Sequence, residues 1–135
     1  MGTWSHEPFG NDTANDWADE LEDATDFSVI EATLQTALDE GQEYLDADVA
    51  MEALAAIEVL AKILGHGTQT DVYTEKVDEW LETVSLKPST DLLLKAQQVL
   101  VLVLSDQSEL KDLWQEADDY EIWLASIQQL KDALH

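Results

Sequence analysis

The stretch 46–65, DADVAMEALAAIEVLAKILG, decides the fold class of this chain of 135 residues. Asp46 is a residue type that caps the amino end of a helix, and Gly65 is the type that most often follows the carboxyl end. Between them, apolar side chains extend almost all round a helix, which is typical of a central, mostly buried helix. Glu58 and Lys62 stand in the order that favours an ion pair one turn apart.

Helical spacing of apolar residues continues on both sides of this stretch. Ser28 with Glu31 predicts a capping box for the second helix, and Asp118 or Asp119 predicts the cap of the last one. The run Val99–Leu104 alternates like a strand, but no turn residue precedes it and no partner strand is visible, so a helix is favoured. The predicted helices cover about 12–24, 28–40, 46–64, 73–84, 90–104, 110–117 and 119–134.

These patterns predict an all-α fold, a compact single-domain bundle of about seven short helices with an extended N-terminal arm. The predicted domain spans residues 1–135, with residues 1–11 as an arm packed on the bundle. The chain has no Cys, which excludes disulfides and thiolate metal sites. No export signal and no apolar run of about 20 residues is visible, so we expect a cytoplasmic protein without a membrane partner.

The charge of the chain limits the classes of partner that it can bind, and it says less about the fold. Thirty Asp and Glu face six Lys and no Arg, for a net charge of -24. Such a chain repels nucleic acid and anionic lipid, and it lacks the guanidinium that grips phosphate. It attracts cationic partners instead. Adaptation to a salty cytoplasm, or simple solubility, explains the same composition equally well.

The opening segment 2–17, GTWSHEPFGNDTANDW, is the least helix-like part of the chain. Asn11 and Asp12 are strong helix caps, and Phe9 stands where an apolar residue packs onto the first turn. We expect Trp4 to reach the core. The segment is therefore interpreted as a structural latch rather than as a catalytic motif.

Both ends of the chain resemble a known bacterial family, DUF4259, a domain of unknown function. Its members open with Met-Gly-x-Trp-Gly-x-Gly-x-Phe-x-Asn-Asp-x-Ala-x-Asp, and Ser5 and Glu7 depart from that pattern. The stretch 109–130, ELKDLWQEADDYEIWLASIQQL, is similar to the family's ending. The resemblance implies membership but brings no activity. The matching residues of the opening are Gly2, Trp4, Phe9, Asn11, Asp12, Ala14 and Asp16.

The candidate binding residues form an acidic stripe on the first helix: Asp12, Asp16, Glu20 and Asp23. Like charges one turn apart destabilise a helix by a few tenths of a kcal/mol per pair, so the stripe points to a cationic partner. A divalent ion is less favoured because no calcium-binding loop is present. His6, His66 and His135 match no zinc or di-iron spacing, and we predict no metal and no cofactor. The five Trp are interpreted as core residues.

The preferred function is therefore a protein-interaction or inhibitor module that binds a basic protein, as an immunity protein or a DNA mimic does. One alternative is a non-catalytic housekeeping domain whose acidity serves solubility or salt adaptation. A small enzyme using His6 and Asp16 is the third class, and no motif supports it. The oligomeric state stays open.

Overall fold

The computed structural model describes residues 6–84 and 87–134. Within these ranges the chain forms seven α-helices and no strand, which confirms the predicted all-α bundle. The run Val99–Val103 belongs to a helix, as expected, and Leu104 is its C-cap residue. A short 3-10 turn, Val72–Thr74, leads into the fourth helix. The helices are α1 (Asp12–Glu22), α2 (Ser28–Glu40), α3 (Ala47–Ile63), α4 (Glu75–Thr83), α5 (Thr90–Val103), α6 (Glu109–Gln115) and α7 (Tyr120–Ala133).

The helix α3 lies at the centre of the bundle. It packs against α1, α2, α5, α6 and α7, while α4 packs on the outside of α1. From Ala53 to Ala61 every side chain of α3 is buried. In the sequence, this part of α3 is apolar nearly all round. The structure explains that pattern, because neighbouring helices cover this part of α3.

Four helices begin at a capping side chain, and two of these caps, Asn11 and Asp46, are as the sequence predicts. The side chains of Asn11, Asp46, Ser89 and Ser108 each accept a hydrogen bond from a backbone N–H in the first turn of α1, α3, α5 and α6. Each of these caps satisfies one of the backbone donors that a helix leaves without a partner at its amino end.

Of the other two predicted caps, the one at Ser28 is wrong, and the one at Asp119 is confirmed in position only. Ser28 is already the first residue of α2, and the carboxylate of Asp26 accepts its N–H at 2.9 Å. The cap position falls on Phe27, which is half-buried against the core and has no side-chain acceptor. Asp119 does occupy the cap position of α7, but its side chain makes no capping bond. Its backbone, at φ -92° and ψ 15°, lacks the extended conformation that directs a capping side chain to the first turn.

The connection before α3 is joined to the connection before α6. The Leu45 N–H donates to the Gln107 carbonyl at 2.7 Å, and the Glu109 N–H donates to the Leu45 carbonyl at 2.9 Å. The Glu109 carboxylate accepts the Ala47 N–H at 2.8 Å, at the amino end of α3. The two loops therefore fix where α3 begins relative to α6.

The carboxyl end of α3 closes in a Schellman motif. The His66 N–H donates to the Ala61 carbonyl at 2.9 Å, and the Gly65 N–H donates to the Lys62 carbonyl at 3.0 Å. Gly65 follows the capping Leu64 and has φ +84°, a left-handed conformation that disfavours a side chain. This turn sends the chain from the central helix into the loop 65–71.

None of the helices in the described ranges has the length and apolar character that a bilayer crossing requires.

Replacing Gly65 by Ala should lower the free energy of unfolding by about 1 kcal/mol, because a Cβ is unfavourable at this positive φ. Gly65→Asn is the matched control and should lose less, since Asn tolerates the left-handed region. Urea denaturation of the three proteins measures both differences. Equal stability of the Ala variant and the unmodified chain would contradict the role of this turn.

Candidate functional site

The described part of the opening segment, residues 6–11, is bonded to the bundle at several points. Phe9 is fully buried, and its N–H donates to the side-chain oxygen of Gln69 at 2.8 Å. Its carbonyl accepts from the Asn15 side chain at 3.0 Å. The Ser126 hydroxyl of α7 donates to the His6 carbonyl at 3.2 Å. We call residues 6–11 the latch.

Glu58, in the middle of α3, positions the loop that holds the latch. Its side chain is 0% exposed. The carboxylate accepts from the Thr68 N–H at 2.8 Å, from the Thr68 hydroxyl at 2.7 Å and from the Gln69 N–H at 2.9 Å. Burial raises the pKa of Glu58, against the opposing effect of these hydrogen bonds and of Lys62. A connected path therefore runs from Glu58 through Gln69 to Phe9.

The predicted ion pair between Glu58 and Lys62 is wrong. The Lys62 ammonium pairs with Asp78 of α4 at 2.9 Å and donates to the Thr70 hydroxyl at 3.3 Å. The Glu58 oxygens instead serve the buried backbone donors of the loop, because those N–H groups need acceptors. Sequence spacing identified the two residues but not their partners.

Most of the described motif residues have a structural role. Phe9 and Ala14 are core residues, and the Asn11 carboxamide accepts the Ala14 N–H at 2.7 Å. Asp12 begins α1, where a negative charge complements the helix dipole. Asp16 is exposed and makes no packing contribution of this kind. Gly2 and Trp4 lie outside the described residues, so the burial of Trp4 stays a prediction.

The four tryptophans within the described residues belong to the core or pack against it. Trp17, Trp80 and Trp123 are buried, and Trp114 stacks on Trp123 with 6.1 Å between ring centroids. The Trp17 indole N–H donates to the Thr33 hydroxyl at 2.8 Å, and that of Trp80 donates to the Ala24 carbonyl at 2.9 Å. These polar ends are thus satisfied without a ligand.

The residues of the enzyme alternative do not share a pocket. His6 lines a crevice of about 20 Å³ between the latch, α3, α6 and α7, where Trp114 and Trp123 also lie. A cavity of this size holds about one water molecule. Asp16 is not among its lining residues. Within residues 6–84 and 87–134, no three His, Asp or Glu side chains are placed to hold a metal ion.

The predicted acidic stripe on α1 is exposed, and charged residues of two other helices, α4 and α3, lie near it. Asp12, Asp16 and Glu20 point to solvent along α1, and Asp23 is its C-cap residue. Asp16 lies near Lys76 of α4, which forms an ion pair with Asp19. Glu20 lies near Glu52 of α3. The stripe is therefore partly neutralised on one side and extended by further acidic residues on the other.

That extension is a group of four carboxylates from three helices, which we call the Glu52 cluster: Glu20 of α1, Glu40 of α2, and Asp48 and Glu52 of α3. Burial is the largest cause that raises the pKa of Glu52, and the other three carboxylates raise it further. Among the described residues, each charge that shifts the pKa of Glu52 is negative. Sequence reasoning found only Glu20. Asp48 and Glu52, one turn apart on α3, are the signal that it missed.

The cluster is not matched by cations. The ion pairs among the described residues join Lys62 to Asp78, Lys76 to Asp19, Lys95 to Glu31 and Lys111 to Asp106. None of them includes a member of the Glu52 cluster. Beside Glu52 lies a shallow pocket of about 150 Å³, lined also by Ala32, Thr33, Thr36 and Val49.

Gln69→Ala should lower the free energy of unfolding by about 1–3 kcal/mol, because it leaves the buried Phe9 N–H without an acceptor. Amide hydrogen exchange should accelerate at Phe9. Gln129→Ala, on the exposed side of α7, is the matched control and should change neither quantity. Equal effects of the two substitutions would show that Gln69 does not hold the latch.

Glu52→Gln should stabilise the protein at pH 7 by a few tenths of a kcal/mol, since it removes like-charge repulsion such as that from Asp48 one turn away. A raised folded-state pKa means that the folded chain binds the proton more tightly, so stability falls as pH rises through that pKa. The gain from Glu52→Gln should therefore disappear as pH falls toward the ordinary value of 4.5.

Thermal melting between pH 4 and pH 8 measures this effect. Glu79→Gln, which removes the same formal charge from the exposed side of α4, is the control. A gain that is independent of pH, or the same gain for both variants, would contradict the repulsion at Glu52.

The comparisons with known proteins agree with the resemblance of the two ends. A family model described as a domain of unknown function (DUF4259) matches residues 2–126. No curated protein and no solved structure matches the chain. Because the match extends over nearly the whole sequence, the chain belongs to the DUF4259 family.

Proposed function

We propose that this protein is a non-catalytic interaction module that captures a cationic protein through the Glu52 cluster, in the manner of an immunity protein or an inhibitor. The observation that supports the proposal best is that Glu20, Glu40 and Asp48, from three helices, all raise the pKa of Glu52, while no ion pair among the described residues includes any of the four. The earlier candidates Asp12 and Asp16 lie on the same helix as Glu20 and extend this surface.

The Glu52 cluster lowers the stability of the isolated protein. Repulsion among its carboxylates and the burial of Glu52 both oppose ionisation, as the raised pKa of Glu52 reflects. An incoming ammonium or guanidinium group relieves that repulsion, so part of the binding free energy comes from the strain of the free state. A surface of this kind favours a positively charged protein over neutral competitors.

The shape beside the cluster fits one basic side chain. The pocket next to Glu52 is lined by Ala32, Thr33, Thr36 and Val49 as well as by Glu52 itself. A lysine or arginine of the partner places its aliphatic stem along such a lining and its charged end at the carboxylate. We infer that one buried cation of the partner occupies this pocket and that the surrounding carboxylates guide its approach.

The net charge of -24 supplies the long-range part of the interaction. Its field acts over about a Debye length, ~8 Å at physiological salt, and accelerates the encounter with a basic protein. The same field disfavours nucleic acid and anionic membranes as direct partners. A nuclease-type toxin, whose own substrate is anionic, is the kind of basic protein that such a surface masks.

The test is affinity capture from a lysate of the native organism at low salt, with two variants of equal net charge. One variant neutralises the cluster: Glu20→Gln, Glu40→Gln, Asp48→Asn and Glu52→Gln. The control variant neutralises four carboxylates elsewhere: Glu75→Gln, Glu79→Gln, Glu82→Gln and Asp118→Asn. We expect the unmodified chain and the control to retain a strongly basic protein, and the cluster variant to lose it. Association with that protein should slow by about tenfold or more from low to physiological salt.

Recovery of only neutral or acidic proteins would contradict the proposal. Equal losses for the cluster variant and the control variant would show that the overall acidity matters, not the cluster. In that case the housekeeping alternative gains support if the melting temperature rises steeply with added NaCl, because screening then removes self-repulsion that no partner relieves.

A further inference from the structure

The outer side of α5 differs from the rest of the surface. Leu94, Gln98 and Val101 are spaced by four and three residues, so they lie on one face of this helix. Leu94 is 50% exposed and Val101 is 67% exposed. The opposite face, with Ala96 and Val99, is buried against α2, α3 and α7. An apolar stripe of α5 thus remains in contact with solvent; we call Leu94, Gln98 and Val101 the α5 stripe.

The α5 stripe lies in the longest stretch of the chain without an acidic residue, 92–105, although 30 of the 135 residues are acidic. The one charged residue of that stretch is Lys95, whose ammonium lies 3.7 Å from the Glu31 carboxylate. The face is therefore close to neutral, on a molecule that carries -24 in total.

This charge pattern indicates which kind of molecule binds the α5 stripe. Asp91, three residues before Leu94, is an exposed carboxylate at the amino end of this face. Beyond it the α5 stripe offers a cationic protein no acidic residue of α5, so the acidic faces attract that protein more strongly. A second copy of this chain is repelled by those acidic faces, because both copies carry the same charge. The α5 stripe is the face at which two copies meet with the least repulsion while burying apolar area.

The stripe is also complementary to itself. Leu94 and Val101 lie at equal distances along the sequence from the point between Gln97 and Gln98. If two α5 helices pack antiparallel about a two-fold axis at that point, Leu94 of each copy meets Val101 of the other. The Gln98 side chains then lie near the axis, where their amides donate and accept across it.

We propose that the protein forms a two-fold homodimer through the α5 stripe. The contact of one helix pair is smaller than the ~1,200–2,000 Å² that stable complexes bury, so dimerisation depends on protein concentration. Added salt strengthens it, because screening weakens the repulsion between the two acidic bodies. Salt therefore acts in opposite directions on this contact and on the capture of a cationic protein.

Sedimentation equilibrium at low and high NaCl tests the proposal. We expect a monomer–dimer equilibrium that shifts toward the dimer at high salt, and Val101→Glu should weaken dimerisation by at least tenfold. Val72→Glu is the matched control, since Val72 is 69% exposed on the turn before α4, and it should dimerise like the unmodified chain. Far-UV circular dichroism checks that both variants fold. A monomer at millimolar concentration in high salt, or equal effects of the two substitutions, would overturn the proposal.

The absence of Cys from the chain allows a second measurement. Gln98→Cys introduces a single thiol close to the proposed axis and should form a disulfide-linked dimer rapidly on mild oxidation. Val72→Cys places a thiol of similar exposure elsewhere and should cross-link slowly. Equal rates would indicate random collisions and would contradict the dimer. None of these substitutions alters the Glu52 cluster, so the outcome is independent of the capture of a cationic partner.

Discussion

The buried carboxylate of Glu58 is the interaction on which the arrangement of this fold depends most. It lies in the middle of the central helix, and three donors from Thr68 and Gln69 surround it. An ionised group in such a position is unfavourable unless its oxygens are hydrogen-bonded, so α3 and the loop 65–71 stabilise each other. Gln69, once fixed, supplies the acceptor for Phe9 and thereby the position at which α1 begins. A single acidic side chain in the core therefore connects the central helix with the opening segment.

The acidity of the protein thus has two physical forms. Glu58 is enclosed and serves the fold, whereas Glu20, Glu40 and Asp48 act on the partly exposed Glu52, and no ion pair within residues 6–84 and 87–134 includes any of these four. The pKa of both Glu58 and Glu52 is raised, and burial is the leading cause in each case. Around Glu58 the opposing contributions are hydrogen bonds, and around Glu52 the additional contributions are like charges. Only the second environment is improved by an external cation, which is why the proposed function belongs to Glu52.

Much of the fold could be predicted from local signals. Asn11, Asp46 and Ser89 cap their helices because capping depends on residues within one turn. The apolar residues all round α3 similarly predicted that other helices surround it. The capping box predicted for Ser28 is wrong because Phe27, packed against the core, occupies the cap position. Asp119 occupies the predicted cap position of α7, but its side chain makes no capping bond because of its backbone conformation. Nothing in the spacing of the sequence brings Gln69 to Phe9.

The candidate site was less predictable from the sequence, because it too depends on contacts between helices. A stripe on α1 is visible in the sequence, but the Glu52 cluster exists only after α1, α2 and α3 pack together. Likewise, the exposure of Leu94 and Val101 depends on which face of α5 meets α2 and α3. Single-helix patterns predicted the elements, whereas the surfaces that distinguish this protein arise between them.

The bond between the Ser126 hydroxyl and the His6 carbonyl joins groups that are 120 residues apart in the chain. Translation produces His6 120 residues before Ser126, so on the ribosome the His6 carbonyl has no access to this partner until α7 has been synthesised. Helices α1 to α3 can associate during that time, but the seam between the latch and α7 closes only after α7 has left the exit tunnel. Nascent chains that stall before this point therefore expose the latch, not yet bonded to α7, to the chaperones and proteases around them.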